Sequence, residues 1–243
     1  MGSKARIAKE ILPIILEHYQ GGMIFIDACV GGANLIDKVP SYIPRYALDN
    51  NRYLIALYKG LQNNLERPLE ISKELYSKAR NIYNNNILTD MSDFEIGWIG
   101  YMASANGRFF EGGYSGISKT KIGTDRNYIS ESIRGIEKQM PLLKSVIFSC
   151  KDILTISPKK EAIIYCDIPY KNTKHYSTSK NFDYDAFYKW CEEMKKEGHY
   201  VYVSEYEMPE NFKCVWQKEL KSSLSANGKS GGNKLSTEKL FTL

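Results

Sequence analysis

The residues best placed to do chemistry are Asp167-Ile168-Pro169-Tyr170, an acid, a proline and an aromatic directly after the apolar run Ala162-Ile163-Ile164-Tyr165-Cys166. An Asp carboxylate and a neighbouring backbone carbonyl can together accept two hydrogen bonds from an exocyclic amine. Pro169 fixes its φ and removes a donor, which stiffens the turn and helps aim that carbonyl. Tyr170 offers a ring face on which a planar base could stack, a contact worth roughly 1–3 kcal/mol. The same tetrapeptide could be an ordinary Asp-x-Pro turn with Tyr170 as packing. The surrounding elements have to decide.

The apolar, partly β-branched run reads as a buried strand. It therefore delivers Asp167 to the edge of a sheet, where open α/β sheets bind ligands. Upstream, Ile7, Ile11, Leu12, Ile15 and Leu16 have helical spacing over residues 4–19, closed by Gly21-Gly22. A short strand at 23–26 leads into Asp27-Ala28-Cys29-Val30-Gly31-Gly32, whose paired glycines permit a tight turn and the close approach of a ligand. Residues 45–49 form a second strand ending in Asp49, 22 residues after Asp27. An acid there in a βαβ unit binds a ribose hydroxyl pair. It can equally cap the helix expected over 50–63. Strand, glycine turn, helix, strand and acid together predict a nucleoside-cofactor pocket.

Residues 64–141 interrupt this alternation with helices expected over 69–84, 93–105 and 128–140. Between them the stretch 106–121 is rich in Gly and aromatics and ends basic, with Asp125-Arg126-Asn127 beyond it. That composition suits base and phosphate contact, and it also suits a solvated lid. The βα pattern resumes with strands over 145–149 and 162–167 and an amphipathic helix over 183–196. Strands over 200–204, 212–217 and 239–243 follow. Residues 171–181 are a polar loop carrying Lys171 and Lys174, and 222–237 reads as a mobile Ser/Gly/Asn/Lys loop.

At 243 residues and 43% apolar content, one α/β domain with a moderate insertion is expected. A net charge of +5 is compatible with a polyanionic partner without demanding one. The sequence has no run of eighteen apolar residues and no apolar segment after its basic start, so neither a membrane span nor secretion is expected. Five cysteines without paired spacing suggest small buried hydrophobes in a reducing compartment, and three scattered histidines give no expectation of a metal site.

In this order the motifs resemble the Dam-like (D12 class) adenine-specific DNA methyltransferases, over nearly the whole chain. Gly2-Ser3-Lys4 is similar to that family's N-terminal glycine-lysine element, and Phe25 to Gly32 to its methionine-moiety loop. Asp49 stands at the ribose acid and Asp152 at the acid for the cofactor's adenine. Asp167-Ile168-Pro169-Tyr170 resembles the catalytic Asp-Pro-Pro-Tyr, with Ile168 in place of the first proline. Cys29 stands where the family usually has Phe. Val203-Ser204, Leu224 to Lys229 and Glu238-Lys239-Leu240 resemble later elements of the family. Asn106-Gly107-Arg108 with Gly113-Tyr114 is similar, more loosely, to the recognition hairpin.

The resemblance implies a Rossmann-like α/β sheet dependent on S-adenosylmethionine, with a helical target-recognition insertion. Residues 1–63 and 142–243 would be catalytic, and 64–141 the insertion. Lys4, Asp27, Gly31, Gly32, Asp49 and Asp152 would hold the cofactor, with Lys4 on its carboxylate. Asp167, Ile168, Pro169 and Tyr170 would act on the amine. Asn106, Arg108, Tyr114, Lys119, Lys121, Arg126, Lys171, Lys174 and Asn227 would contact double-stranded DNA. The host would be a bacterial, archaeal or phage-infected cell, with the protein in its cytoplasm. Cytosine N4 chemistry and a non-catalytic DNA-binding relative are the alternatives.

Overall fold

The computed structural model describes residues 4–119, 122–171, 182–221 and 235–243. Lys121, Lys174 and Asn227, with Gly2, Ser3 and residues 224–229, lie outside the described residues.

A single 3₁₀ turn at Lys4–Arg6 leads into α1 (Ala8–Ile15), which buries Ile11, Leu12 and Ile15. Then come β1 (Ile24–Asp27), β2 (Arg45–Asp49) and α2 (Arg52–Gln62). The interruption contributes α3 (Lys73–Asn85), α4 (Asp93–Ala103), a two-stranded hairpin of β3 (Ile117–Lys119) and β4 (Asp125–Asn127), and α5 (Tyr128–Leu143). After it stand β5 (Ile147–Cys150), β6 (Ala162–Cys166), α6 (Tyr184–Lys196), β7 (Tyr200–Glu205), β8 (Lys213–Lys221) and β9 (Leu235–Thr242).

The main sheet runs β5-β2-β1-β6-β7-β9-β8. β5, β2, β1, β6 and β7 are parallel, while β9 pairs antiparallel with both β7 and β8. Strand order reverses at β1 and β6, which makes the crevice beyond their carboxyl ends a switch point, the usual ligand position in such sheets. The register brings the acids to that edge. Asp27 sits opposite Tyr165, Asp49 opposite Cys150, and Asp167 follows directly on β6.

The parallel strands are apolar on both faces because both are covered. Phe25, Ile163 and Tyr165 face the core shared with α2, α4 and α5, whereas Ile26, Ile164 and Cys166 face the one shared with α6. Residues from 64–141 belong to that first core: Phe94, Trp98, Ile99 and Ile133 pack in one cluster with Phe25. The helix α4 is buried nearly all round and crosses α2 closely at Gly97, where a Cβ would lie 2.1 Å from the Tyr53 carbonyl oxygen. Its start is set by a Ser92–Glu95 capping box.

The element boundaries differ from expectation in ways with local causes. The first helix stops at Ile15, and residues 16–18 turn instead. Residues 235–237, expected in a loop, begin β9, where they pair with Glu219 to Lys221 of β8. Cys166 and Cys191 are buried, but Cys150 and Cys214 are exposed at the two edge strands, and all five are free. Among the described residues no helix is long and apolar enough to cross a membrane.

Candidate active site

A cavity of about 530 Å³ opens at the carboxyl edge of the sheet. Its wall includes Lys4, Asp27, Gly31, Gly32, Asp49 and Asp152, the four residues Asp167 to Tyr170, and Arg108.

At one end the backbone does the shaping. Gly31 has φ +47°, a region that favours glycine. Asp49 accepts the Gly31 N–H at 3.0 Å with one carboxylate oxygen and the Asn51 N–H at 2.9 Å with the other. It therefore ties the glycine loop to the start of α2 without capping that helix; the cap is Asn51, whose side chain accepts from Tyr53 and Leu54. Burial pushes the Asp49 pKa up, opposed by those two N–H donors. The Tyr58 hydroxyl donates to the Gly31 carbonyl at 3.0 Å, and the Gln139 amide donates to those of Gly32 and Ala33 at 3.2 and 3.0 Å. Neither Tyr58 nor Gln139 carries a sequence signal, since each meets the loop from a distant helix. Asp152 caps a short 3₁₀ turn through the Leu154 N–H at 2.8 Å.

Asp27 is 2% exposed, and its Oδ1 has no hydrogen-bond partner among the described residues. Burial, and then the nearby Asp167, drive its pKa well above the usual carboxylate range. A buried carboxylate oxygen left unpaired on a cavity wall calls for a donor from a ligand.

The other end is built from side chains. The Lys4 ammonium lies 2.9 Å from Asp167 Oδ1, 2.7 Å from the Tyr170 hydroxyl oxygen and 3.4 Å from Glu238 Oε2. Tyr170 in turn donates to Glu238 Oε2 at 2.7 Å. Burial opposes the charge on Lys4, but Asp167 and Glu238 outweigh it and its pKa is raised. Burial pushes Asp167 up against the pull of Lys4. Lys4, expected on a cofactor carboxylate, instead has its bonds in this corner, because two acids at the sheet edge surround it. Ile168 is only 2% exposed and packs in the smaller core, so the core absorbs this departure from proline. The Pro169 carbonyl accepts the Tyr184 hydroxyl at 2.7 Å, and Glu205 accepts the Lys171 N–H at 3.0 Å, which pins the turn at both sides. Ser204 meets the Tyr165 hydroxyl at 2.8 Å beneath it.

The candidate DNA contacts divide. Asn106 and Lys119 are exposed. Arg126 is exposed and forms a paired bond to Glu131 at 2.8 and 2.7 Å. Arg108 lies on the cavity wall and Lys171 at the end of the catalytic turn, its ammonium 5.6 Å from the Tyr184 ring. Tyr114 turns inward: its hydroxyl donates to the Ile71 carbonyl at 2.7 Å and its ring packs on Tyr76.

The family description "D12 class N6 adenine-specific DNA methyltransferase" matches residues 1–227. The chain belongs to this family. It is an adenine-specific DNA methyltransferase of the D12 class, dependent on S-adenosylmethionine. A search of curated proteins returned no match. Among solved structures, HI0767 from Haemophilus influenzae, assigned as a methylase, is 10% identical, with 98% of this chain and 97% of that one covered and a TM-score of 0.36. SMU.472, assigned as a methyltransferase and solved with SAH, is 13% identical, with 100% and 52% covered and a TM-score of 0.41. At these scores neither contributes to the argument, and the fold rests on the chain's own topology.

The residues present fit the cofactor of this family. Asp27 offers a buried carboxyl oxygen without a partner among the described residues to a hydrogen-bond donor of the ligand. At Gly32 a Cβ would stand 2.6 Å from Asn34 Nδ2, so a larger residue there would have to push that side chain aside.

Proposed function

We propose that the chain methylates the N6 amine of an adenine flipped out of a specific duplex DNA sequence. The observation that carries this reading is that Asp167 and Tyr170 share one cavity with the Gly31–Gly32 loop and the acids Asp27 and Asp49. An amine acceptor and a nucleoside cradle then face the same space.

In this reading Gly31 and Gly32 admit the methionine part of the cofactor, and Asp27 takes its ammonium. Asp49 takes the ribose hydroxyls and Asp152 the adenine amine. S-adenosylmethionine supplies an electrophilic sulfonium methyl. Flipping costs a few kcal/mol, which stacking on Tyr170 partly offsets. Asp167 and the Ile168 carbonyl accept the two N6 hydrogens, draw the nitrogen towards a tetrahedral shape and aim its lone pair. Asp167 is also the first acceptor for the proton that N6 gives up. Most of the acceleration is orientation together with preorganised acceptors. Lys4 serves this corner rather than the cofactor carboxylate, because its bonds are to Asp167, Tyr170 and Glu238.

Residues 1–63 and 142–243 form the catalytic part and 64–141 the recognition part. Asn106, Arg108, Lys119, Arg126 and Lys171 contact the duplex, while Tyr114 holds the recognition loop in place. Lys121, Lys174 and Asn227 keep their assigned DNA contacts on family resemblance. Sequencing methylated product at single-base resolution tests the reading. N6-methyladenine in one sequence context is expected, and N4-methylcytosine or methylation without context would overturn it.

A further inference from the structure

The ammonium of Lys4 stands where the base must come. It is 2.9 Å from the acceptor Asp167 and 4.9 Å from the centroid of the Tyr170 ring. An amine donating to Asp167 while its base stacks on Tyr170 has to displace it. Lys4 is 8% exposed, so withdrawing it from Asp167 without another anion would strand a buried charge, which is strongly unfavourable.

A second anion is already within reach. Glu238 Oε2 lies 3.4 Å from the ammonium, so a shift of a fraction of an ångström completes the pair. The same oxygen accepts the Tyr170 hydroxyl at 2.7 Å, and Tyr206 meets the Tyr170 ring edge-on at 4.5 Å. Two independent contacts thus fix the tyrosine while its neighbour moves. The topology explains how a residue so near the chain's end reaches the site. β9 runs antiparallel to β7, with Glu205 opposite Lys239, so Glu238 emerges at the same sheet edge as the catalytic turn.

We infer that Glu238 is a positioning residue for methyl transfer: it draws Lys4 off Asp167 as the amine arrives and holds Tyr170 by its hydroxyl. The inference rests on the role proposed above for Asp167. Glu238→Gln keeps the shape and a hydrogen-bonding group but removes the anionic seat. Lys4 then stays on Asp167 and competes with the amine.

The test is single-turnover formation of N6-methyladenine in PCR-amplified, methyl-free duplex DNA. It uses the full chain, with cofactor affinity and thermal melting measured in parallel to show that each variant is folded. E238Q is expected to slow transfer about tenfold at unchanged cofactor affinity. In a Lys4→Met background the further loss on adding E238Q should shrink to about twofold or less, because no ammonium remains to be seated. E238D, which restores the charge, should recover most of the rate. A wild-type rate in E238Q, an undiminished loss in the Lys4→Met background, or an E238D rate as low as that of E238Q would each overturn the inference. Wild-type turnover in Asp167→Asn would instead remove the role of Asp167, however Glu238 behaves.

Discussion

The two ends of the cavity are made differently. At the glycine end, backbone N–H and carbonyl groups are the functional surface, and Asp49, Tyr58 and Gln139 hold them. At the catalytic end four side chains, Lys4, Asp167, Tyr170 and Glu238, hold one another, and they come from three remote parts of the chain. The first arrangement is tied together before any ligand arrives by the bonds of Asp49, Tyr58 and Gln139 to the loop, with Asp27 Oδ1 left for the ligand. The second is a set of mutual charges that has to be re-paired when a substrate amine enters. Under the proposed function, the first would be the cofactor cradle and the second the place of the flipped base.

This contrast predicts that damage at one end leaves the other intact. Asp167→Asn should lower methyl transfer by about 10²–10³-fold, the scale for losing one preorganised polar partner of a transition state. Cofactor affinity, measured by calorimetry, should change little. A parallel loss of both would mean that the ends are not separable. Asp49→Asn should raise the cofactor Kd by about 10–100-fold, because charge-assisted bonds to two N–H groups are lost. Its transfer rate at saturating cofactor should stay near that of wild type. Gln139→Ala removes neutral bonds only, so about three- to tenfold in cofactor Kd is expected.

The smallest effect is on stability and has the opposite sign. Burial raises the Asp27 pKa in the folded chain above its unfolded value near 4. The native state then binds more protons, so stability falls as pH rises through the unfolded value, and the penalty is full above the folded one. Asp27→Asn removes that penalty. Without cofactor it should melt about 2–4 °C higher than wild type at neutral pH, the scale of 1 kcal/mol for a chain of this size. The gain should vanish below about pH 4. At neutral pH the same variant should bind cofactor more weakly. A lower melting temperature at pH 7 would contradict this account of Asp27.

What the sequence made legible follows the same division. Asp27, Gly31, Gly32 and Asp49 lie on or between the adjacent parallel strands β1 and β2, so strand periodicity and glycine spacing suffice to bring them together, although a 3₁₀ turn at Ile36–Lys38 stands where a helix was expected. The tetrapeptide after β6 was readable for the same reason: a buried strand delivers its next residue to the sheet edge. By contrast Lys4 is 166 residues from Tyr170 and 234 from Glu238, and Gln139 is 107 from Gly32. No local pattern encodes those meetings, and the expectation of Lys4 on the cofactor carboxylate came from the family resemblance alone. The inward bond of Tyr114 to the Ile71 carbonyl was not legible, because Gly and aromatic neighbours look alike in a reading loop and in a buried tether. Helices were expected over 69–84, 93–105 and 128–140, and α3, α4 and α5 lie there. Their joining of the main core was not legible, because it depends on a glycine contact between α4 and α2.

The most direct test of the central claim is nucleoside mass spectrometry of methyl-free duplex DNA incubated with the purified chain and S-adenosylmethionine. The account predicts N6-methyladenine and no other methylated nucleoside. No methylated nucleoside at all, from protein shown to bind the cofactor, would contradict it.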